Sequence, residues 1–214
     1  MKRTILAALA MCGVIAAATS ASAYSLSLNQ INTTGYSGPY VNVTIDLTTA
    51  TTATVKFDAF SPYLLVNGKI ADLNVNASGF SVGSFTSGGG LNNFVLNSVN
   101  IDTNPAPPNQ QVSMFGDFNL TISSQNASQR VDWLQFIVTN TSGTWASDDK
   151  VLTANTDGYS AAAHIFVPSA ATNANTFFVG NGETPPSVPE PSTMLLLGSG
   201  FLGLAAYGRK RARK

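Results

Sequence analysis

Residues Tyr40-Val41-Asn42-Val43-Thr44-Ile45-Asp46-Leu47 alternate in character at nearly every step. In extended chain, successive side chains point to opposite faces, so such a segment separates an apolar from a polar side only as a β-strand. Ala53-Thr54-Val55-Lys56-Phe57-Asp58 repeats the pattern. Between residues 24 and 188 no stripe of helical period competes with it. Further strands are predicted at Tyr24–Ile31, Tyr63–Val66, Lys69–Ala77, Asn93–Ile101, Gln111–Ser123, Val131–Asn140, Ala161–Val167 and Thr176–Val179. Turn-forming clusters separate them, among them Tyr36-Ser37-Gly38-Pro39, Ser87-Gly88-Gly89-Gly90 and Asn104-Pro105-Ala106-Pro107-Pro108. Asn67-Gly68 between two apolar runs predicts a hairpin through a type I′ turn, which needs positive φ at both positions. Many short strands spaced by turns imply a mainly β domain. The expected form is an antiparallel β-sandwich, jelly-roll-like or immunoglobulin-like.

In the strand predicted at Val131–Asn140, Trp133, Gln135, Ile137 and Thr139 share one face and Asp132, Leu134, Phe136 and Val138 the other. Apolar residues on both sides suit a central strand whose aromatics fill the core.

The formal neutrality of the chain conceals an uneven distribution. Seven of its eleven cations lie at the two ends. Lys56, Lys69, Arg130 and Lys150 face ten carboxylates between Tyr24 and Val188, a net charge near −6. An acidic surface repels phosphate backbones, so nucleic acid is not an expected partner.

The N-terminus carries Lys2 and Arg3, an apolar stretch from Ile5 to Ala18, and Ala21-Ser22-Ala23, an A-x-A pattern for cleavage before Tyr24. Residues 1–23 therefore read as a signal peptide for signal peptidase. Cys12, the one cysteine, falls inside this segment behind Met11, where a lipoprotein site would need a small residue. The mature chain is expected to hold no thiol and no disulfide.

At the other end, Val188-Pro189-Glu190-Pro191-Ser192 precedes an apolar run, and Gly208-Arg209-Lys210-Arg211-Ala212-Arg213-Lys214 follows it. The segment 192–207 would form a helix about 24 Å long, short of a hydrocarbon core of about 30 Å, and would span by thinning the bilayer or by arginine snorkelling. Arg209, Lys210, Arg211, Arg213 and Lys214 place the tail in the cytoplasm by the positive-inside rule. A Pro-Glu-Pro triplet, one glycine-bearing span and a basic terminus together resemble the PEP-CTERM sorting signal of exosortase substrates. The resemblance is confined to residues 188–214. It implies that an exosortase acts near Pro189, Glu190 and Pro191, in a bacterium that makes exopolysaccharide or biofilm. The expected organisation is a signal peptide (1–23), an exported β domain (24–179), a Pro-rich linker (180–188) and a sorting signal (189–214). The protein would be held transiently in the inner membrane, its mature form residing at the cell surface or outside the cell.

The centre offers few groups for chemistry. His164, the one histidine, alternates with Ala162 and Phe166 along a predicted strand and is the candidate general base of a hydrolase reading. No G-x-S-x-G element and no cysteine of the mature chain supplies a nucleophile, so no catalytic residue and no cofactor is assigned. Asp148, Asp149, Asn155 and Asp157 could offer oxygens to calcium, although the D-x-D-x-D-G order of a calcium loop is missing. They read first as a solvated turn, and no metal is assigned. N-x-S/T occurs at Asn32, Asn42, Asn76, Asn119, Asn126 and Asn140, as expected by chance in a chain this rich in Asn, Ser and Thr. The leading expectation is a non-enzymatic matrix or surface protein with exopolysaccharide as a partner. The alternative is a carbohydrate- or calcium-binding module.

Overall fold

The computed structural model describes residues 23–89, 99–103, 111–124, 130–168 and 176–182, all within the unit Ala21–Val188. Alternating segments become strands as the sequence requires: β1 (Tyr24–Ile31), β2 (Val41–Thr49), β3 (Thr52–Ala59), β4 (Leu64–Val66), β5 (Ala71–Leu73), β6 (Phe80–Gly88) and β7 (Val99–Asp102) come first. Then follow β8 (Gln111–Val112), β9 (Gly116–Asp117), β10 (Leu120–Ser124), β11 (Arg130–Val131), β12 (Trp133–Asn140), β13 (Ala161–Phe166) and β14 (Thr176–Asn181). The one helical element among the described residues is a 3₁₀ turn, Asp148–Lys150.

Every pairing is antiparallel. Twelve strands form one sheet, with the path β6-β12-β3-β2-β1-β14-β13-β5-β10-β7, and β8–β9 is a separate ribbon. The sheet nearly closes on itself. The far half of β13 turns from β5 to β4 (Ile165 opposite Leu65), β4 pairs β11 (Leu65 opposite Val131), and β11 runs through Asp132 into β12. The ring β12-β3-β2-β1-β14-β13-β4-β11 returns to its start. Strands that change partner at a bend are the means by which sheets turn corners, and closure removes edges that would otherwise pair with other chains. The expected two-sheet sandwich is thus a barrel-like sheet in its hydrogen bonding. Period-two alternation fixes which face is buried but not whether the buried face belongs to one sheet or two.

The inward faces pack into one core. Val41, Val43 and Ile45 of β2, Ala53, Val55 and Phe57 of β3, and Leu134, Phe136 and Val138 of β12 are all fully buried, with Leu28 and Ile165. Phe57 and Phe136 stack with centroids 6.2 Å apart. A second, smaller cluster lies on the outer side of β13, where Val112, Phe115 and Phe118 cover Ala162. Phe115 comes so close to β14 that a Cβ at Gly180 would sit 2.5 Å from its ring.

Several expectations are corrected. The segment expected as one strand over Gln111–Ser123 is two short strands and a third, because Met114 (φ 73°) and Gly116 (φ 80°) fold it into a ribbon. β6 was not expected at all. Its alternation breaks at Ser84 (φ 53°), where two residues of β6, Ser84 and Phe85, stand against one of β12, Phe136, and this bulge lets Phe80, Val82 and Phe85 all reach the core. Asn67-Gly68 makes no hairpin. β4 and β5 both run antiparallel to β13, one after the other, and residues 67–70 form a bulge between them with Gly68 at φ 66° and Lys69 at φ 30°. Positive φ falls at Gly68 as expected, but its companion is Lys69 and not Asn67. In β12 the face of Leu134, Phe136 and Val138 is buried as expected, but Trp133 on the other face is only half-buried and is not a core aromatic.

Candidate functional site

Ala23 is exposed and Tyr24 is the first residue of β1, so cleavage between them would leave the strand whole. Ala21, the triplet Pro189, Glu190 and Pro191, and the basic residues from Arg209 to Lys214 lie outside the described residues, as do the expected signal peptide and membrane helix. No helix among the described residues is long and apolar enough to cross a membrane, which says nothing of those segments or of strands.

The candidate calcium residues serve the fold. Asp148 accepts a hydrogen bond from the Leu47 backbone N–H and so ties the 3₁₀ turn to β2. Asp149 pairs with Lys150 at 2.7 Å and accepts from the Ser147 hydroxyl, which together hold its carboxyl below the ordinary range. Asn155 donates through Nδ2 to the carbonyls of Phe115 (2.8 Å) and Asp117 (3.0 Å) and accepts from the Asp157 and Tyr159 N–H groups. It anchors the β8–β9 ribbon. Among the described residues no three His, Asp or Glu side chains lie close enough to share a metal ion.

His164 is half-buried on the outer side of β13, stacked on Phe178 with centroids 4.5 Å apart. Its Nδ1 lies 2.8 Å from the Asn67 carbonyl oxygen and therefore carries the proton. Burial lowers its pKa, against the opposing pull of the Asn67 and Gly68 backbone, which keeps the ring neutral near pH 7. The ring braces the β4–β5 bulge.

Sequence reasoning missed Asp72. It sits in the middle of β5, fully buried, facing Thr121 of β10 and Ala162 of β13. The Thr121 hydroxyl donates to its Oδ1 at 2.5 Å, while Oδ2 has no hydrogen-bond partner among the described residues. Burial pushes the carboxyl up to about 8, opposed by the Thr121 bond and by Lys69. Lys69, whose ammonium donates to the Gln111 carbonyl, is itself lowered by burial and raised by Asp72, Asp117 and Asp102. A carboxyl at the centre of a three-residue apolar-flanked strand gives no periodic signal, because β5 is buried on both faces.

An ordered array of polar side chains lies on the outside of the barrel-like sheet. Cross-strand registers place Ser27, Asn42, Asp58 and Trp133 in one row and Ser25, Thr44, Lys56, Gln135 and Thr86 in the next. Ser25 donates to Asn42 (2.8 Å), Asn42 to Thr44 (3.1 Å), and Lys56 pairs with Asp58 (2.6 Å). The Trp133 indole lies across Gly88, whose missing side chain leaves the room, and the Lys56 ammonium stands 5.3 Å from a ring centroid. Beside this face, Ser27, Asn29, Gln30, Gly38, Pro39 and Gly182 line an open groove of about 560 Å³. Hydroxyls, amides, an ion pair and one indole form a surface suited to binding many weakly polar groups at once.

The family comparison bears on the C-terminus alone. Residues 187–211 match the PEP-CTERM protein-sorting motif. The match covers the Pro-Glu-Pro triplet, the apolar run and the start of the basic terminus. The motif indicates a secreted protein targeted to an exosortase. No curated protein and no solved structure matches the chain.

Proposed function

We propose that this protein is a non-enzymatic component of the cell surface or extracellular matrix, delivered across the inner membrane and released there by an exosortase. The sorting motif at 187–211 carries the reading. The acidic, hydroxyl-rich barrel would be its working part, and its neighbour an exopolysaccharide. Replacing Pro189-Glu190-Pro191 by three alanines in the producing cell tests it. The expected outcome is an unprocessed chain retained in the inner-membrane fraction; unchanged processing and location would end the proposal.

A second reading is favoured by Trp133. An indole held flat over a glycine, with amide, hydroxyl and carboxylate groups in register beside it, matches the chemistry of a neutral polysaccharide. Sugar C–H faces pack on aromatic rings, and sugar hydroxyls pair with such polar groups. With a net charge near −6 between Tyr24 and Val188, the domain would repel an acidic polymer. Co-sedimentation with insoluble neutral polysaccharides tests this reading, with binding expected for the native protein and lost in Trp133→Ala.

A further inference from the structure

Two Asn-Gly pairs occur in the chain, and the fold treats them in opposite ways. Asn181-Gly182 ends β14. The Asn181 side chain is buried; its Oδ1 accepts from the N–H groups of Ser160 and Ala161, both at 2.9 Å, and its Nδ2 donates to the Ser160 hydroxyl at 3.1 Å. The Gly182 N–H donates to Asn29 at 3.3 Å. Asn67-Gly68 lies in the bulge between β4 and β5, with Gly68 exposed and at φ 66°. Neither the Asn67 carboxamide nor the Gly68 N–H makes a hydrogen bond to a described residue. The Asn67 carbonyl accepts from His164 Nδ1 at 2.8 Å, and the Gly68 backbone also acts on the imidazole. The imidazole is set for this by its stack on Phe178 and also neighbours Gly68, whose added Cβ would be 4.0 Å from Nδ1.

That contact falls on the peptide unit whose nitrogen is the natural nucleophile toward the Asn67 side chain. A hydrogen bond donated to an amide carbonyl draws electron density from the amide nitrogen and makes its N–H more acidic. We propose that Asn67 is a self-modifying site, which the folded protein deamidates through its own Gly68 nitrogen with His164 as the positioning residue. The Gly68 nitrogen loses its proton and bonds to Asn67 Cγ. The Cγ–Nδ2 bond breaks, and the amide leaves as ammonia, taking up a proton. Water then opens the five-membered imide at either carbonyl, giving aspartate or isoaspartate at position 67. The sum is one water consumed and one ammonia released, with no oxidant, metal or cofactor. The product carries a new carboxylate beside His164, in a bulge where an isoaspartate's extra backbone carbon finds slack that a regular ladder would deny it.

The test is site-resolved peptide mapping of the full-length protein in detergent, aged at neutral pH, folded and in urea. Folded protein is expected to deamidate at Asn67 at least as fast as in urea, while Asn181 is strongly slowed by folding. His164→Phe, which keeps the aromatic stack and removes the donor, is expected to slow Asn67 about fivefold, the worth of one neutral hydrogen bond converted to a rate. His164→Asn, which returns an N–H at the δ position, should restore much of the loss. Folding that protects Asn67 as it protects Asn181 would overturn the proposal, and this arm requires no variant. Equal rates in the native protein and His164→Phe, or an equal loss in both variants, would remove the role of His164.

Discussion

The tail and the barrel carry their information in opposite forms. Residues 187–211 are read as a linear string, in which a triplet, an apolar run and cations in fixed order suffice to identify a sorting motif. The barrel holds its polar groups in register across five strands, and no two neighbours in a row such as Ser27, Asn42, Asp58 and Trp133 are close in sequence. A linear signal is legible without a fold. A cross-strand site is legible only after register is known, because a shift of one residue turns each side chain to the other face.

The sharpest way to break this contrast is to scramble each region separately. Alanine at Pro189, Glu190 and Pro191 should abolish processing, seen as a chain of full length on immunoblots, while the isolated barrel melts at its usual temperature. Conversely, Phe136→Ala should leave sorting intact in whatever protein folds. It should lower barrel stability by about 3 to 5 kcal/mol, since Phe136 is fully buried against Phe57 and Phe85. Denaturant titration measures the loss.

A finer comparison lies between the two apolar clusters inside the barrel domain. Gly180→Ala pushes a methyl into the Phe115 ring and should cost about 1 to 3 kcal/mol by overpacking, loosening the β8–β9 ribbon before the main core. Limited proteolysis near Met114, which is exposed, would register that order of events. The remaining prediction is a pH dependence and concerns Asp72. Its folded pKa is raised from 3.8 to about 8, so the folded state holds this proton where the unfolded chain has released it. Stability from this group is full below about pH 4 and declines as pH rises toward 8. Lys69, lowered by burial, works in the opposite direction at higher pH. The difference in melting temperature between native protein and Asp72→Asn, followed from pH 4 to 8, isolates the carboxyl. Asp72→Asn is expected to gain relative stability as pH rises; a constant difference would refute the assignment.

Much of the fold was open to sequence reasoning where alternation was unbroken. β1 begins and ends at the expected residues, and β2, β3, β12 and β13 fall within two residues of expectation. Reasoning failed where a single left-handed residue reset the phase, at Ser84 in β6 and at Met114 and Gly116 in the ribbon, since no local propensity at serine or methionine announces positive φ. It also failed at Asn67-Gly68, where positive φ falls at Gly68 and Lys69 rather than at Asn67 and Gly68, and β13 supplied a continuous partner to both flanks. At the candidate site the signal was lower still. Asp148 and Asp149 were noticed because acidic residues cluster in sequence, yet each is engaged within the chain, by the Leu47 N–H and by Ser147 and Lys150. Asp72 and the row containing Trp133 depend on contacts between distant strands. Burial of an acid is a property of its neighbours, and the chain around Asp72 does not name them.

The central claim is that two terminal signals deliver a β barrel and are then removed. Mass spectrometry of the mature protein from membrane, surface and medium fractions of the producing cell measures both ends at once. The account predicts a surface or medium form that begins at Tyr24, ends near Pro189 and lacks the basic tail. A chain that still ends at Lys214 and stays in the inner membrane would contradict it.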